Sequence, residues 1–155
     1  MRKKSIIALV TALIIPIIFC CIFIYDNVKV RKADMAGVIE IDESVNFSID
    51  GMEVIDSDVY IFGWAFMYEP KFAQRSILLR NVDEPDEVLK LNTAMVERTE
   101  LNEVYGGVDY ENAGFVANGS INGDMKNNTY EIMILFEEAE QKYVFETGEY
   151  IELGE

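Results

Sequence analysis

The chain contains no histidine, and its two cysteines, Cys20 and Cys21, are adjacent within an apolar segment near the N-terminus. The rest of the chain therefore offers neither the histidine and thiolate ligands of zinc sites nor the parts of a Cys- or His-based catalytic triad. No disulfide can form within the part that follows the apolar segment. Cysteine-free extracytoplasmic domains are more typical of bacteria than of small secreted eukaryotic proteins, so the composition favours a bacterial source.

Basic residues are scarce and unevenly placed. The chain has 13 Lys and Arg against 28 Asp and Glu, and six of the basic residues lie before residue 33. From Ala33 onward there are 27 acidic and 7 basic residues, which gives a net charge of −20. A field of this sign repels nucleic acid and anionic lipid surfaces, because no Lys or Arg cluster is present to displace counterions from phosphates. We therefore expect an acidic, solvated surface and no nucleic-acid partner.

Residues 6–25 form a run of 20 residues without a charge. A helix of this length crosses the ~30 Å hydrocarbon core of a bilayer, and no small-residue cleavage site of the kind found in signal peptides follows it. The predicted organisation is a cytoplasmic stub (1–5), a transmembrane helix that acts as a signal-anchor (6–25), a juxtamembrane stalk or helical continuation (26–43), and an extracytoplasmic domain (44–155). The predicted location is the cell membrane, single-pass, with the C-terminal domain outside the cytoplasm.

Beyond residue 43 the sequence alternates between strand-like segments and turn signals such as Asp50-Gly51 and Asn122-Gly123. Nine strands are predicted, at residues 45–49, 52–55, 58–66, 76–81, 88–97, 114–121, 129–136, 142–146 and 150–153. No stretch after the stalk shows convincing helical periodicity. The predicted fold is therefore all-β: an antiparallel β-sandwich, immunoglobulin-like or jelly-roll-like, preceded by one N-terminal transmembrane helix.

Residues 58–66 are the most informative stretch of the chain, because their two faces differ. One face carries Tyr60, Phe62, Trp64 and Phe66, and the other carries Val59, Ile61, Gly63 and Ala65. This pattern predicts a central strand covered on both faces, with Gly63 and Ala65 allowing a facing layer to come close. Trp64 and Phe66 are predicted core residues, because chains avoid exposing so large an apolar face. The alternative is an open aromatic face that binds sugars by stacking.

A second central strand is predicted at residues 129–136, with Tyr130, Ile132, Ile134 and Phe136 on one face and Glu131, Met133 and Leu135 on the other. Residues 100–113 are predicted to form a loop that packs through Leu101, Val104 and Tyr105. Arg98, which precedes this loop among several acids, is predicted to form a buried ion pair that fixes the loop. The alternative is an exposed pair of little energetic value.

No group of residues has the pattern of a catalytic or metal site. Two sets of Asp and Asn side chains could offer oxygen ligands to Ca²⁺: Asp50, Asp56 and Asp58, and Asn118, Asn122 and Asp124. Neither set has the spacing of a calcium loop, and these residue types are also those that turns use. We therefore predict no metal, no cofactor and no catalytic residue.

Several short motifs, taken in order, resemble a small β-sandwich accessory module of bacterial membrane-anchored cell-envelope glycan proteins. They are Gly63-Trp64-Ala65-Phe66, Thr93 with Arg98, Gly114-Phe115, Tyr130-Glu131-Ile132, and Thr147-Gly148 with Ile151. The resemblance spans residues 49–151 and implies a non-catalytic accessory domain. We assign structural roles to Trp64, Phe66, Arg98 and Phe115. Glu100 stands where the pattern has Asp, which leaves the role of that acid open.

These observations predict a membrane-anchored, non-catalytic binding or scaffold module in cell-envelope glycan assembly. Its expected partners are the membrane, through a single span, and an envelope glycan or a membrane protein. Two alternatives stay open. One is a carboxylate-dependent glycan hydrolase, which needs two acids in one cleft. The other is a structural subunit or spacer of a membrane protein complex.

Overall fold

The computed structural model describes residues 12, 14–20, 30–42, 45–67, 74–106, 110–123 and 125–154. Strands dominate these residues, and one short α-helix and one 3₁₀ turn connect two of them. The strands are β1 (Arg31–Lys32), β2 (Val38–Ile41), β3 (Val45–Ile55), β4 (Asp58–Met67), β5 (Gln74–Asn81), β6 (Val88–Lys90), β7 (Asn92–Val96), β8 (Gly114–Ser120), β9 (Thr129–Glu138) and β10 (Gln141–Glu152). The helix is α1 (Glu100–Tyr105), and the 3₁₀ turn is Glu111–Ala113.

The strands form two sheets. The six-stranded sheet has the order β1-β6-β5-β9-β10-β2, and the four-stranded sheet has the order β3-β4-β8-β7. Side chains from both sheets share one hydrophobic core, in which Ile61 and Phe115 of the smaller sheet lie with Ile77 and Ile132 of the larger one. The predicted all-β fold is confirmed, and two packed, mainly antiparallel sheets agree with a β-sandwich.

The predicted alternation in β9 is confirmed. Tyr130, Ile132, Ile134 and Phe136 lie in the core between the sheets, and Met133 and Leu135 lie in a second apolar cluster on the outer face of the six-stranded sheet. β9 is hydrogen-bonded to β5 on one side and to β10 on the other. It is therefore covered on both faces, as its nearly continuous apolar sequence predicts.

Several strand boundaries differ from the prediction. The two strands predicted at 45–49 and 52–55 form the single strand β3, and those predicted at 142–146 and 150–153 form the single strand β10. In each case a shift in register, a β-bulge or similar irregularity, absorbs the turn-like residues between them. The strand predicted at 88–97 is instead divided between the sheets, with β6 in the larger sheet and β7 in the smaller one.

Leu91 and Thr93 explain this change of sheet. Leu91 is buried in the shared core, and its amide donates a hydrogen bond to the carbonyl of Ile77 at 3.0 Å. The Thr93 hydroxyl oxygen accepts a hydrogen bond from the Ile77 amide at 3.0 Å and lies 3.2 Å from the Leu91 carbonyl, to which it donates. A side-chain hydroxyl thus satisfies the backbone groups that the departing strand leaves behind.

Residues 30–42, which were assigned to the stalk, are not helical, and β1 and β2 belong to the six-stranded sheet. β1 pairs with β6 at one edge, and β2 pairs in parallel with β10 at the other edge. Ala33, Met35 and Val38 pack over the outer face of the sheet, against Met133 and Val144 among others. We call residues 31–41 the strap. Val38, Ile39 and Ile41 explain its entry into the sheet, because β-branched residues favour strands.

The predicted transmembrane segment lies mostly outside the described residues. Residues 14–20 are helical, and their side chains are exposed. Among the residues that the structure describes, we find no helix with the length and apolar character needed to cross a membrane.

Candidate functional site

The outer face of the four-stranded sheet presents the aromatic side chains of β4 next to aliphatic side chains of its neighbours. Three of the large side chains on this face are open to solvent: Phe62 is 37% exposed, Val96 is 39% exposed and Val116 is 41% exposed. Tyr60 and Trp64, on the same face of β4, are half-buried. We call Tyr60, Phe62, Trp64, Val96 and Val116 the outer aromatic face. A contiguous apolar surface of this kind is typical of a binding site.

The aromatic side chains of β4 form a strip that runs from Tyr60 through Phe62 and Trp64 to Phe66. Among the described residues, only the Phe66 end of this strip is covered by other side chains. Phe66 is 1% exposed, and its ring stacks on that of Tyr110 with centroids 4.2 Å apart. Tyr105 of α1 lies edge-on to Phe66, with a centroid distance of 4.9 Å, and at 5.6 Å from the ring of Trp64. The predicted core position therefore describes Phe66 well, whereas Trp64 lies at the boundary between the covered and open parts of the strip.

The covering segment contains a helix that the sequence analysis missed. α1 has only six residues, too few for a periodic pattern, and ends at Gly106 in the left-handed conformation (φ 68°). Leu101 is buried and Tyr105 packs on the aromatic cluster, as predicted. The prediction that Val104 packs is wrong, because its side chain is 71% exposed.

Arg75 helps to hold the 3₁₀ turn that follows. Its guanidinium is buried, and Nη1 donates a hydrogen bond to the Asn112 carbonyl at 3.1 Å. Nε finds no hydrogen-bond acceptor among the described residues. Burial away from water lowers the pKa of Arg75 to about 10. The turn over the aromatic cluster is therefore fixed at the cost of burying a charge.

Two glycines shape the aromatic face. A Cβ atom on Gly51 would lie 2.2 Å from the ζ carbon of Phe62, so the Phe62 ring lies directly over Gly51 of the neighbouring strand. A Cβ atom on Gly63 would lie 2.1 Å from the carbonyl oxygen of Ser48. The close approach predicted at Gly63 is therefore made by β3 in the same sheet and not by the facing layer.

Arg98 lies at the border of the aromatic face. Its Nη1 donates to Asp50 Oδ2 at 2.6 Å, and its Nε donates to Glu100. These two hydrogen bonds, first that to Glu100, raise the pKa of Arg98, and Arg98 in turn lowers the pKa of Glu100. The side chain of Arg98 is 28% exposed, so the ion pair is only partly buried and joins β3 to the start of α1.

Phe115, the fourth residue assigned a structural role, is 1% exposed in the core between the sheets. Of the Asp and Asn residues considered for Ca²⁺, Asp50, Asp58, Asn118 and Asn122 form hydrogen bonds within the domain, and Asp124 lies outside the described residues. Asp58 accepts a hydrogen bond from the Ser120 hydroxyl at 2.6 Å, and Asn122 accepts one from the Met125 amide at 3.2 Å. Within the described ranges, no group of three or more acidic or cysteine side chains is arranged to hold a metal ion.

A second polar site, which the sequence analysis did not find, lies on the outer face of the six-stranded sheet. Arg80 of β5 forms ion pairs with Glu131 of β9 and Glu146 of β10. Glu40 of the strap reaches the same cluster. Glu40, Arg80 and Glu146 border a cavity of about 280 Å³, whose apolar lining includes Met133 and Val144. These residues lie on four different strands and are far apart in the sequence, so no local motif predicts the cluster.

Glu40 and Glu146 have opposite titration behaviour. A hydrogen bond to Glu146 raises the pKa of Glu40, and a hydrogen bond from Arg80 lowers the pKa of Glu146. Both carboxyl groups line the same cavity, and each affects the pKa of the other. Glycoside hydrolysis instead needs its two carboxyl groups about 5–10 Å apart, with the sugar between them. The arrangement is a charged contact between the strap and β10 that is more favourable when Glu40 is protonated.

No protein-family model matches the chain, and neither a curated protein nor a solved structure matches it significantly. The resemblance to an envelope-glycan accessory module therefore stays a prediction.

Proposed function

We propose that this protein is a non-catalytic binding module whose outer aromatic face binds a glycan of the bacterial cell envelope. The observation that carries the proposal is the partly open aromatic strip on β4, with Phe62 at its centre. Flat aromatic side chains with polar neighbours suit the apolar faces and hydroxyl groups of sugar rings. Ser48, Asn92 and Asn118 supply such polar neighbours on the adjacent strands.

The proposal includes membrane anchoring through residues 6–25, with the β-sandwich on the outer side. Only about 22 Å of extended chain can separate Tyr25 from Arg31, the first residue of β1. The domain would then lie close to the lipid surface, where it could hold a glycan that is assembled or exported there. A role as a subunit of a membrane complex uses the same anchor, but no feature of the described residues favours it over glycan binding.

The hydrolase alternative is less well supported than the binding module. Glu40 and Glu146 both line the cavity on the six-stranded sheet, and contact with Glu146 raises the pKa of Glu40. Carboxyl groups in contact do not have the separation of about 5–10 Å that glycoside hydrolysis needs.

The test is a binding experiment on the full-length protein in mild detergent. Trp64 is the single tryptophan and lies on the aromatic face, so its fluorescence reports a glycan bound there. Titration with a panel of envelope glycans should give a saturable change for at least one of them. In the Phe62→Ala variant we expect binding about tenfold weaker, a loss of ~1.4 kcal/mol.

Tyr150→Ala is the matched control, because Tyr150 is an exposed aromatic residue (53%) on β10 of the other sheet. It should bind as the unmodified protein does. The proposal is wrong if calorimetry and fluorescence both show no binding to any glycan of the panel, or if the two variants lose affinity equally.

A further inference from the structure

We propose that the glycan bound by the outer aromatic face carries protonated amino groups, as a de-N-acetylated hexosamine polymer does. This inference rests on the proposed function and names the class of its ligand. It follows from the distribution of charge around the aromatic side chains.

The four-stranded sheet contains no cation of its own. None of the residues in β3, β4, β7 and β8 is Lys or Arg, whereas Asp50, Glu53 and Asp58 are acidic. Arg98 at the border is already paired with two carboxylates, Asp50 and Glu100. A glycan bearing carboxylates or phosphates would therefore meet no available positive charge on this sheet, and the charge of −20 beyond residue 33 would repel it.

Glu53 gives an amino group a specific position. It is directly opposite Tyr60 in the β3–β4 pair, so both side chains lie on the outer face of the sheet. Glu53 is exposed and forms no ion pair with another described residue. Opposite residues of an antiparallel pair have Cβ atoms about 4.5–5.5 Å apart. An ammonium group bound there would contact the carboxylate of Glu53 and the ring of Tyr60 together.

The contact combines two favourable interactions. A cation within about 6 Å of an aromatic ring is attracted by the ring, and a carboxylate accepts its hydrogen bonds. Phe62 and Trp64 continue the strip along β4, with successive side chains on one face about 6.6–6.8 Å apart. A linear amino sugar polymer can therefore stack along the strip while its ammonium groups stay near the carboxylates of Asp50, Glu53 and Asp58.

The test compares two pentasaccharides that differ only in acetylation, the β-1,4-linked pentamers of glucosamine and of N-acetylglucosamine. Binding to the full-length protein is measured by calorimetry at a pH at which the amine is protonated. At about 0.02 M NaCl we expect the glucosamine pentamer to bind about tenfold more tightly, a difference of ~1.4 kcal/mol. The preference should shrink at about 0.3 M NaCl, because the Debye length falls below 10 Å.

Two variants locate the effect. Glu53→Gln should reduce the preference for the glucosamine pentamer and leave binding of the acetylated pentamer unchanged. Glu149→Gln removes one carboxylate from β10 of the other sheet and should leave the preference unchanged. An oligogalacturonate of similar length, which carries carboxylates in place of amino groups, should bind neither to the unmodified protein nor to the two variants.

The outcomes separate this inference from the proposed function. Equal binding of both pentamers, still weakened by Phe62→Ala, overturns the preference for amino groups and keeps glycan binding. Absence of binding to either pentamer, while another envelope glycan binds, also overturns it. Two further outcomes also overturn the inference. If Phe62→Ala does not weaken binding of the glucosamine pentamer, the attraction is a general one to an acidic surface. If pentalysine binds as tightly as the glucosamine pentamer, the site fits a basic protein partner equally well.

Discussion

At Gly63 the backbone of β3 approaches β4 so closely that a side chain has no space. A Cβ atom there would lie 2.1 Å from the carbonyl oxygen of Ser48 and 3.1 Å from the ring of Phe115. The first neighbour is backbone within a hydrogen-bonded sheet and cannot move without breaking the β3–β4 pairing. Any substitution must therefore displace β3 or distort β4.

We predict that Gly63→Ala lowers the free energy of unfolding by about 1–3 kcal/mol, the usual cost of overpacking. Urea unfolding followed by the fluorescence of Trp64 measures the change. Gly123→Ala is the control, because a Cβ atom at Gly123 would meet no atom within 4 Å. Equal stability of Gly63→Ala and the unmodified protein would show that the two strands can separate locally.

Single residues also show how far the candidate site could be predicted. The period-two pattern of residues 58–66 identified the row of aromatic side chains, and their burial was predicted because chains avoid exposing so large an apolar face. The pattern could not tell that Phe62 stays open while Phe66 is covered, because the cover comes from Tyr105 and Tyr110 in a distant segment. The exposure of a side chain on a sheet face depends on which other segments pack over that face. The sequence of the strand itself does not contain this information.

In the strap, pairing of β2 with β10 is opposed by repulsion between carboxylates. It is held at one edge by β1 and at the other by the pairing of β2 with β10. Glu40 of β2 pairs with Val144 of β10 and lies near Glu146, two residues further along that strand. Arg80 of β5 and Glu131 of β9 belong to the same charged cluster, and Asp86 of the β5–β6 connection lines the same cavity. At neutral pH, repulsion between Glu40 and Glu146 opposes the β2–β10 contact that fixes the strap.

The sign of the effect follows from the pKa of Glu40, which is raised above its ordinary value of 4.5, mainly by the hydrogen bond to Glu146. An acid with a raised folded-state pKa contributes stability at low pH that is lost as the pH rises through that pKa. Glutamine stays neutral and can still donate a hydrogen bond to Glu146. We therefore predict that Glu40→Gln has a higher Tm than the unmodified protein at about pH 7.5, and that the difference shrinks toward about pH 5.

Thermal unfolding of both proteins across this range measures the difference. Glu149→Gln, an exposed change on β10, controls for the loss of one negative charge from an acidic protein. A difference that is independent of pH, or equal in the two variants, would show that Glu40 does not oppose Glu146.

The elements themselves were predicted unevenly, for physical reasons. Long strands with strong alternation, such as β4 and β9, were found because both of their faces are specified by side chains. The strap was missed because Arg31 and Lys32 follow an apolar run closely and seemed to belong to it. The turn-like residues of Asp50-Gly51 and Thr147-Gly148 divided β3 and β10 in the prediction, although bulges accommodate them without ending the strand.

The domain carries a large excess of negative charge, and several of its Lys and Arg side chains lie beside carboxylates. Arg80, Lys90, Arg98 and Lys142 each lie within ion-pair distance of a carboxylate. The pairs offset only a few of the 27 acidic residues beyond residue 33. The remaining carboxylates repel one another in the folded state more than in the expanded unfolded chain, so the net charge destabilises the fold.

We therefore predict that salt stabilises the protein. Raising NaCl from about 0.02 M to about 0.3 M shortens the screening length from roughly 20 Å to 6 Å and weakens this repulsion. The Tm should rise by about 2–5 °C, which for a domain of this size corresponds to ~1 kcal/mol. KCl should act equally at the same ionic strength if screening is the cause. A Tm that falls with salt would mean that the ion pairs outweigh the repulsion, and that the acidic surface is locally balanced despite its net charge.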